Sequence, residues 1–188
     1  MHREILTEGA CKIDIHIGCY IRINFLIKKQ ILKSCFPNEL QHDHCHSNTA
    51  EDAMSFDIFL TCFRNHEVFD YPFALIEQGF GPYTEIREPG WWALKYPDGG
   101  RCELYVEDED GMVHGGFMVA RPPDSPAFWK AIIDIMTETQ GVLLWAGDGY
   151  VVPDASVIPH LPPSMIETLG IPTVTTDVEV IFECIERA

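Results

Sequence analysis

Trp91-Trp92-Ala93-Leu94-Lys95-Tyr96-Pro97-Asp98-Gly99-Gly100-Arg101-Cys102-Glu103-Leu104-Tyr105-Val106-Glu107-Asp108-Glu109-Asp110-Gly111-Met112 carries the reading on which the fold turns. Trp91–Tyr96 is rich in strand-forming residues, and Pro97-Asp98-Gly99-Gly100 after it is a strong turn signal. Arg101–Glu107 alternates. Cys102, Leu104 and Val106 fall on one face, with Arg101, Glu103, Tyr105 and Glu107 on the other. Asp110-Gly111 supplies the positive-φ pair of a tight hairpin. Met112–Arg121 then returns as the next strand, with Gly115-Gly116 marking a bulge. This is a β-meander.

Upstream, Ser55–Phe63 reads as a strand with two apolar faces, which argues an interior position. Arg64–Asp70 reads as a loop. A helix is expected over Pro72–Gln78, with Pro in the first turn and Gly79, Gly81 and Pro82 as the stop. Downstream, Asp124-Ser125 offers an N-cap and Pro126 a first turn. Phe128, Trp129, Ile132, Ile133, Ile135 and Met136 then form a broad apolar stripe at helical spacing, closed by Gly141. Val142–Ala146 is a short apolar strand, Val151–Pro163 is Pro-rich and irregular, and Ser164–Leu169 is one more helical turn. Val178–Ile185 is expected as a closing strand. The order β-α-β-β-β-α-β-(α)-β predicts an α+β domain. Its sheet is mixed or mainly antiparallel, with two main helices packed on one face; a ferredoxin-like variant is one arrangement this order allows.

The 188-residue chain changes character near Met54. Residues 1–53 hold four of the seven cysteines, five of the eight histidines and only seven of the 29 acidic side chains against six basic ones. They show no coherent periodicity. Residues 54–188 hold twenty-two acidic against seven basic side chains, all four tryptophans and twelve of the thirteen prolines. So sharp a change predicts that residues 54–188 form a single domain. Residues 1–53 are expected to be either an over-extended reading upstream of a true start at Met54 or a loosely ordered arm.

A net charge of -16 repels phosphate backbones and anionic membranes, which argues against nucleic-acid and membrane partners. It steers cations and basic proteins inward. No apolar run approaches the roughly 20 residues of a spanning helix, because Arg22, Lys28 and Lys29 interrupt the best candidate. Glu4 and Glu8 are foreign to the opening of a secretory signal, and seven cysteines without a CxxC pair suit reduced thiols. A cytoplasmic location is expected.

Chemistry-bearing residues are sparse. His42, His44 and His46 would share one side of an extended segment and so resemble metal ligands, although the sequence shows no rigid frame for them. Glu107-Asp108-Glu109-Asp110 is an acidic hairpin tip without the ligand spacing of a calcium loop. It is either a solvated turn or a docking tip for a basic partner. Trp91 and Trp92 point to opposite faces, one for the core and one as an exposed anchor. Asp148, Asp154 and His160 follow a buried strand and hold the residue types of a base and its orienter. They lack a GxSxG elbow, an HExxH helix or a phosphate loop. No cofactor is implied.

The segment Met54-Ser55-Phe56-Asp57-Ile58-Phe59-Leu60-Thr61-Cys62-Phe63 resembles the opening of small bacterial proteins, some of which accompany secreted toxins as immunity proteins. The resemblance covers about ten residues and assigns no site. It implies a bacterial protein that begins at Met54. With the charge and the tip, it points to a non-catalytic binding module of immunity or adaptor type for a basic partner. The alternative is a small hydrolase working through the Asp148/Asp154/His160 loop.

Overall fold

A computed structural model describes residues 56–146 and 149–187. The fold is α+β. Its eight-stranded sheet is built from β1 (Asp57–Thr61), β5 (Thr84–Glu88), β6 (Trp91–Lys95), β7 (Arg101–Tyr105), β9 (Phe117–Ala120), β10 (Val142–Trp145), β11 (Tyr150–Val152) and β12 (Thr173–Val174). The strand order is β12-β11-β10-β1-β9-β7-β6-β5. Every neighbouring pair is antiparallel except β11–β12, which is parallel. The sheet thus extends well beyond the split β-α-β core of a ferredoxin-like relative.

β1 lies at the centre, as its two apolar faces require. It pairs with β10 from Ile58↔Trp145 to Thr61↔Val142 and with β9 from Asp57↔Ala120 to Leu60↔Phe117. On the first face, Ile58, Leu60, Trp92, Leu94, Cys102, Leu104, Val119 and Leu143 are all buried. Two helices cover them, α1 (Ala74–Phe80) with Ile76 and Phe80, and α2 (Pro126–Thr139) with Phe128, Ile132, Ile135 and Met136. Pro126 opens α2, and Gln140 ends it in the left-handed region (φ 53), with the Gly141 amide donating 2.8 Å to the Met136 carbonyl.

On the second face, only the β10–β11 end is covered by described elements. A 3-10 helix (Ala155–His160) and α3 (Pro163–Leu169) lie there. Val157, Leu161, Met165, Ile166 and Leu169 close over Val142, Leu144, Tyr150 and Val152.

Several local expectations are corrected. Val178–Ile185 is not a strand but lies within a helix, α4 (Val178–Glu186), capped by the Asp177 carboxylate, which accepts from the Glu179 amide at 3.0 Å. Val178, Val180, Phe182 and Cys184 do alternate, but Val178, Ile181, Phe182 and Ile185 also fall at i, i+3, i+4 and i+7, and that stripe meets the first-face core. Helical packing wins because Ile181 becomes fully buried and Phe182 sets its ring 4.9 Å from that of Trp129.

Arg64–Asp70 is not a plain loop. It folds into a small hairpin of β2 (Phe63–Arg64) and β3 (Glu67–Val68), turned by Asn65 and His66 at φ 52 and 72. Pro72 sits in β4 (Tyr71–Pro72) rather than in the first turn of α1, and pairs with Met112 of β8 (Met112–Val113). Gly79 does not stop α1; it lies inside the helix, where an added Cβ would meet Ala131 and Ile135 of α2 at 3.3 and 3.2 Å. The expected single strand Met112–Arg121 is broken into β8 and β9, with Gly115 and Gly116 at positive φ between them.

Candidate partner-binding face

The β6–β7 hairpin and the loop after it bring the acidic tip beside an aromatic pair. Trp92 points into the core and is buried, packed edge-on against Phe73. Its neighbour Trp91 therefore lies on the second face, half-buried, directly opposite Tyr105. Register extends this pair into a row across the sheet: Trp91↔Tyr105, Tyr105↔Met118, Met118↔Phe59, Phe59↔Leu144 and Leu144↔Tyr150. The last two residues lie under the 3-10 helix and α3, whereas Trp91 and Tyr105 are half-buried and Met118 is buried.

Glu103 sits one pair further along this face, opposite Ala93 and Ala120. The Tyr105 hydroxyl donates to it at 2.6 Å and the Arg121 guanidinium at 2.6 Å. These two, with the Trp91 indole, hold the Glu103 carboxyl below the usual carboxylate range. Its charge is therefore spent on orienting the aromatic side chains.

The tip is a defined loop. The Val106 amide donates 3.3 Å to the Gly90 carbonyl, which ties the tip to the turn before Trp91. The Asp108 carboxylate accepts from the Gly111 amide at 2.9 Å, and Glu109 and Met112 exchange backbone hydrogen bonds of 3.1 and 3.0 Å across Asp110-Gly111, both at positive φ. The Phe73 amide donates 2.9 Å to the Gly111 carbonyl, anchoring the tip to the start of α1. His114 stands at its base, with Nδ1 2.8 Å from Asp70 and Nε2 3.9 Å from Glu109.

Among the described residues, no Lys or Arg compensates the charge of the tip. All seven Lys and Arg side chains among the described residues are engaged elsewhere. Arg87 pairs with Glu77, Lys95 and Arg101 with Glu85, Arg121 with Glu103, Lys130 with Asp134 and Arg187 with Glu183. Arg64 lies over the Phe69 ring at 3.7 Å. Among the described residues, no ion pair reaches Glu88, Glu107, Asp108 or Asp110, and all four are exposed. Glu107 packs against Gly90, where a Cβ would lie 3.9 Å from its Cγ, and Glu88 is the cross-strand partner of Trp91.

The other predicted residues do not assemble with this face. The Asp154 carboxylate caps the 3-10 helix, accepting from the Ser156 amide at 2.8 Å, and the Ser156 side chain together with that amide holds its carboxyl below the ordinary value. His160 lies at the other end of that helix, about 12 Å away at the 3-10 rise of about 2 Å per residue. Its Nδ1 accepts from the Asn65 amide at 3.3 Å, while the His66 amide donates to its carbonyl at 2.9 Å. Both side chains are thus spent on structure. Asp148 lies outside the described residues, as do His42, His44 and His46. Among the described residues, no group of three or more His, Cys, Asp or Glu could hold a metal ion. Burial pushes the Cys62 thiol up to about 11 and the Cys102 thiol up to about 12, the opposite of what a nucleophile needs. Among the described residues, no helix is long and apolar enough to cross a membrane.

Trp91, Glu107, Asp108, Glu109 and Asp110 were visible as candidates in the sequence. Tyr105, Glu103, Glu88 and Met118 were not. The alternation of residues 101–107 gives their face, but only the strand register gives their neighbours.

In comparison with known proteins, no family model, no curated protein and no solved structure matches this chain.

Proposed function

We propose that the protein is a non-catalytic binding module that takes a basic protein partner on the corner formed by Trp91, Tyr105, Glu88 and the 107–110 tip. One observation carries this reading. Four exposed carboxylates that pair with no cation among the described residues, Glu88 at the end of β5 and three on a loop fixed by five backbone and side-chain hydrogen bonds, lie beside half-buried aromatic side chains. Carboxylates steer a cationic partner inward, and an aromatic face takes Lys or Arg by cation–π contact. A preformed loop lowers the ordering cost of binding. An immunity or adaptor role in a bacterial cytoplasm is the setting such a surface suits, since it would cover a basic partner surface. The hydrolase alternative draws no support from the hydrogen-bonded roles of Asp154 and His160.

The test is calorimetric titration of the full chain with a ten-lysine peptide at two ionic strengths. Glu88→Gln, Glu107→Gln and Asp110→Asn together are expected to weaken binding at least about tenfold, since each exposed pair contributes up to about 1 kcal/mol. The salt dependence should flatten as well. Equal binding by the triple variant and the native chain would overturn the proposal.

A further inference from the structure

His66 and His160 meet in one contact and use the same ring nitrogen in opposite ways. Three hydrogen bonds join the β2–β3 turn to the far end of the 3-10 helix. The His66 amide donates 2.9 Å to the His160 carbonyl, the His66 Nδ1 lies 2.7 Å from the Leu161 carbonyl, and the Asn65 amide donates 3.3 Å to the His160 Nδ1. We propose that this contact is an acid-released latch between the hairpin and the helical roof of the β10–β11 end, with His160 as its sensor.

The partners fix both protonation states. A carbonyl only accepts, so the His66 Nδ1 carries a proton and donates it. A backbone amide only donates, so the His160 Nδ1 is bare. Protonating His66 adds a proton at Nε2 and leaves its bond to Leu161 intact. Protonating His160 sets N–H against N–H, and the Asn65 amide loses its acceptor. Charging both rings also puts two cations into one contact. The charged groups on the packed elements are Arg64 and Glu67 on the hairpin, Asp154 at the opposite end of the 3-10 helix and Glu167 on α3. Arg64 lies over the Phe69 ring, and Asp154 is held by the Ser156 amide. Among the described residues, no ion pair joins either imidazole to any of them. An imidazole changes charge between about pH 5 and 8, so the latch holds at the upper end of that range and loosens toward the lower. Phe63 at the base of the hairpin packs in one cluster with Ile158 and Leu161, so release of the turn reaches the roof.

Amide exchange with water, measured by nuclear magnetic resonance on the full chain at about pH 7.5 and about pH 5, tests the latch. After correction for the intrinsic pH dependence of exchange, protection of the Asn65 amide is expected to fall about fivefold on acidification, the worth of one hydrogen bond. The Gly141 amide, bonded to the Met136 carbonyl at the end of α2, should keep its protection. His160→Asn puts a side-chain oxygen in the place of Nδ1 that accepts at either pH, and should abolish the fall. His66→Asn retains a donor toward Leu161, and should preserve it. A flat Asn65 response in the native chain, or an equal fall at Gly141, would overturn the latch. A fall that survives His160→Asn, or one that vanishes in His66→Asn, would overturn the assignment of His160 as its sensor.

Discussion

Gly116→Ala is the substitution that probes the sheet most sharply. Gly116 has φ 106 where the chain swings from β8 to β9, and an added Cβ would stand 2.0 Å from the Leu60 carbonyl oxygen and 3.0 Å from the Thr61 Cα. Both atoms are backbone of the central strand, so neither can rotate away. Two terms add. Holding a non-glycine residue in that region costs about 1–3 kcal/mol. Moving β9 off β1 by the extra ångström or more weakens the Phe117↔Leu60 pairing and the packing of Phe117, for about 2 kcal/mol more. The expected loss is about 4 kcal/mol, against a total of about 5–15 kcal/mol for an ordinary domain. Gly99→Ala separates the terms. Gly99 has φ 94, but nothing lies within 4 Å of its Cβ position, so only the conformational cost of about 1–3 kcal/mol applies. Urea denaturation followed by tryptophan fluorescence compares the two midpoints. Equal destabilisation by Gly116→Ala and Gly99→Ala would refute the packing of the β8–β9 loop on β1.

Ile181→Ala tests the helical assignment of the C-terminal segment. Ile181 is fully buried in the first-face core, so its truncation is expected to cost about 2–4 kcal/mol in urea denaturation, whereas exposed Glu179→Ala should cost under about 0.5 kcal/mol. Cys62 and Cys102 should resist iodoacetamide at pH 8 in the native protein, as read by peptide mass mapping, because burial keeps both thiols protonated. Linkage gives the same groups an alkaline signature. Their folded values lie above the ordinary 9.0, so from about pH 9 upward the unfolded chain releases protons that the folded chain keeps. Stability should be flat with respect to these thiols below pH 9 and fall as pH rises through about 11 to 12. Replacing both cysteines by Ala should flatten that fall in pH-dependent denaturation.

The legible parts of the fold were those in which local chemistry and tertiary packing agree. The α2 stripe from Phe128 to Met136, the Asp110-Gly111 turn and the alternation of residues 101–105 declare their structure within a few residues. The segment Val178–Ile185 could not be settled that way, because eight residues with six apolar ones satisfy both the period of two and the period of 3.6. Only the core waiting for Ile181 decides between them. Edge strand β5 escaped for another reason. Glu85, Arg87 and Glu88 mark it as polar, which is how an edge is protected from pairing with other chains. The site was half legible. Adjacent Trp91 and Trp92 necessarily point apart, but which one turns outward follows from register, as does the meeting of Trp91 with Tyr105 and Glu103.

The binding account stands or falls on where a cationic peptide touches the chain. Nitrogen–proton spectra recorded during titration with the ten-lysine peptide resolve the four indole N–H groups separately. The account predicts that the Trp91 indole and the amides of residues 105–111 shift with the peptide, while buried Trp92, Trp129 and Trp145 stay in place. Shifts centred instead on the 3-10 helix and α3, with Trp91 unmoved, would contradict it.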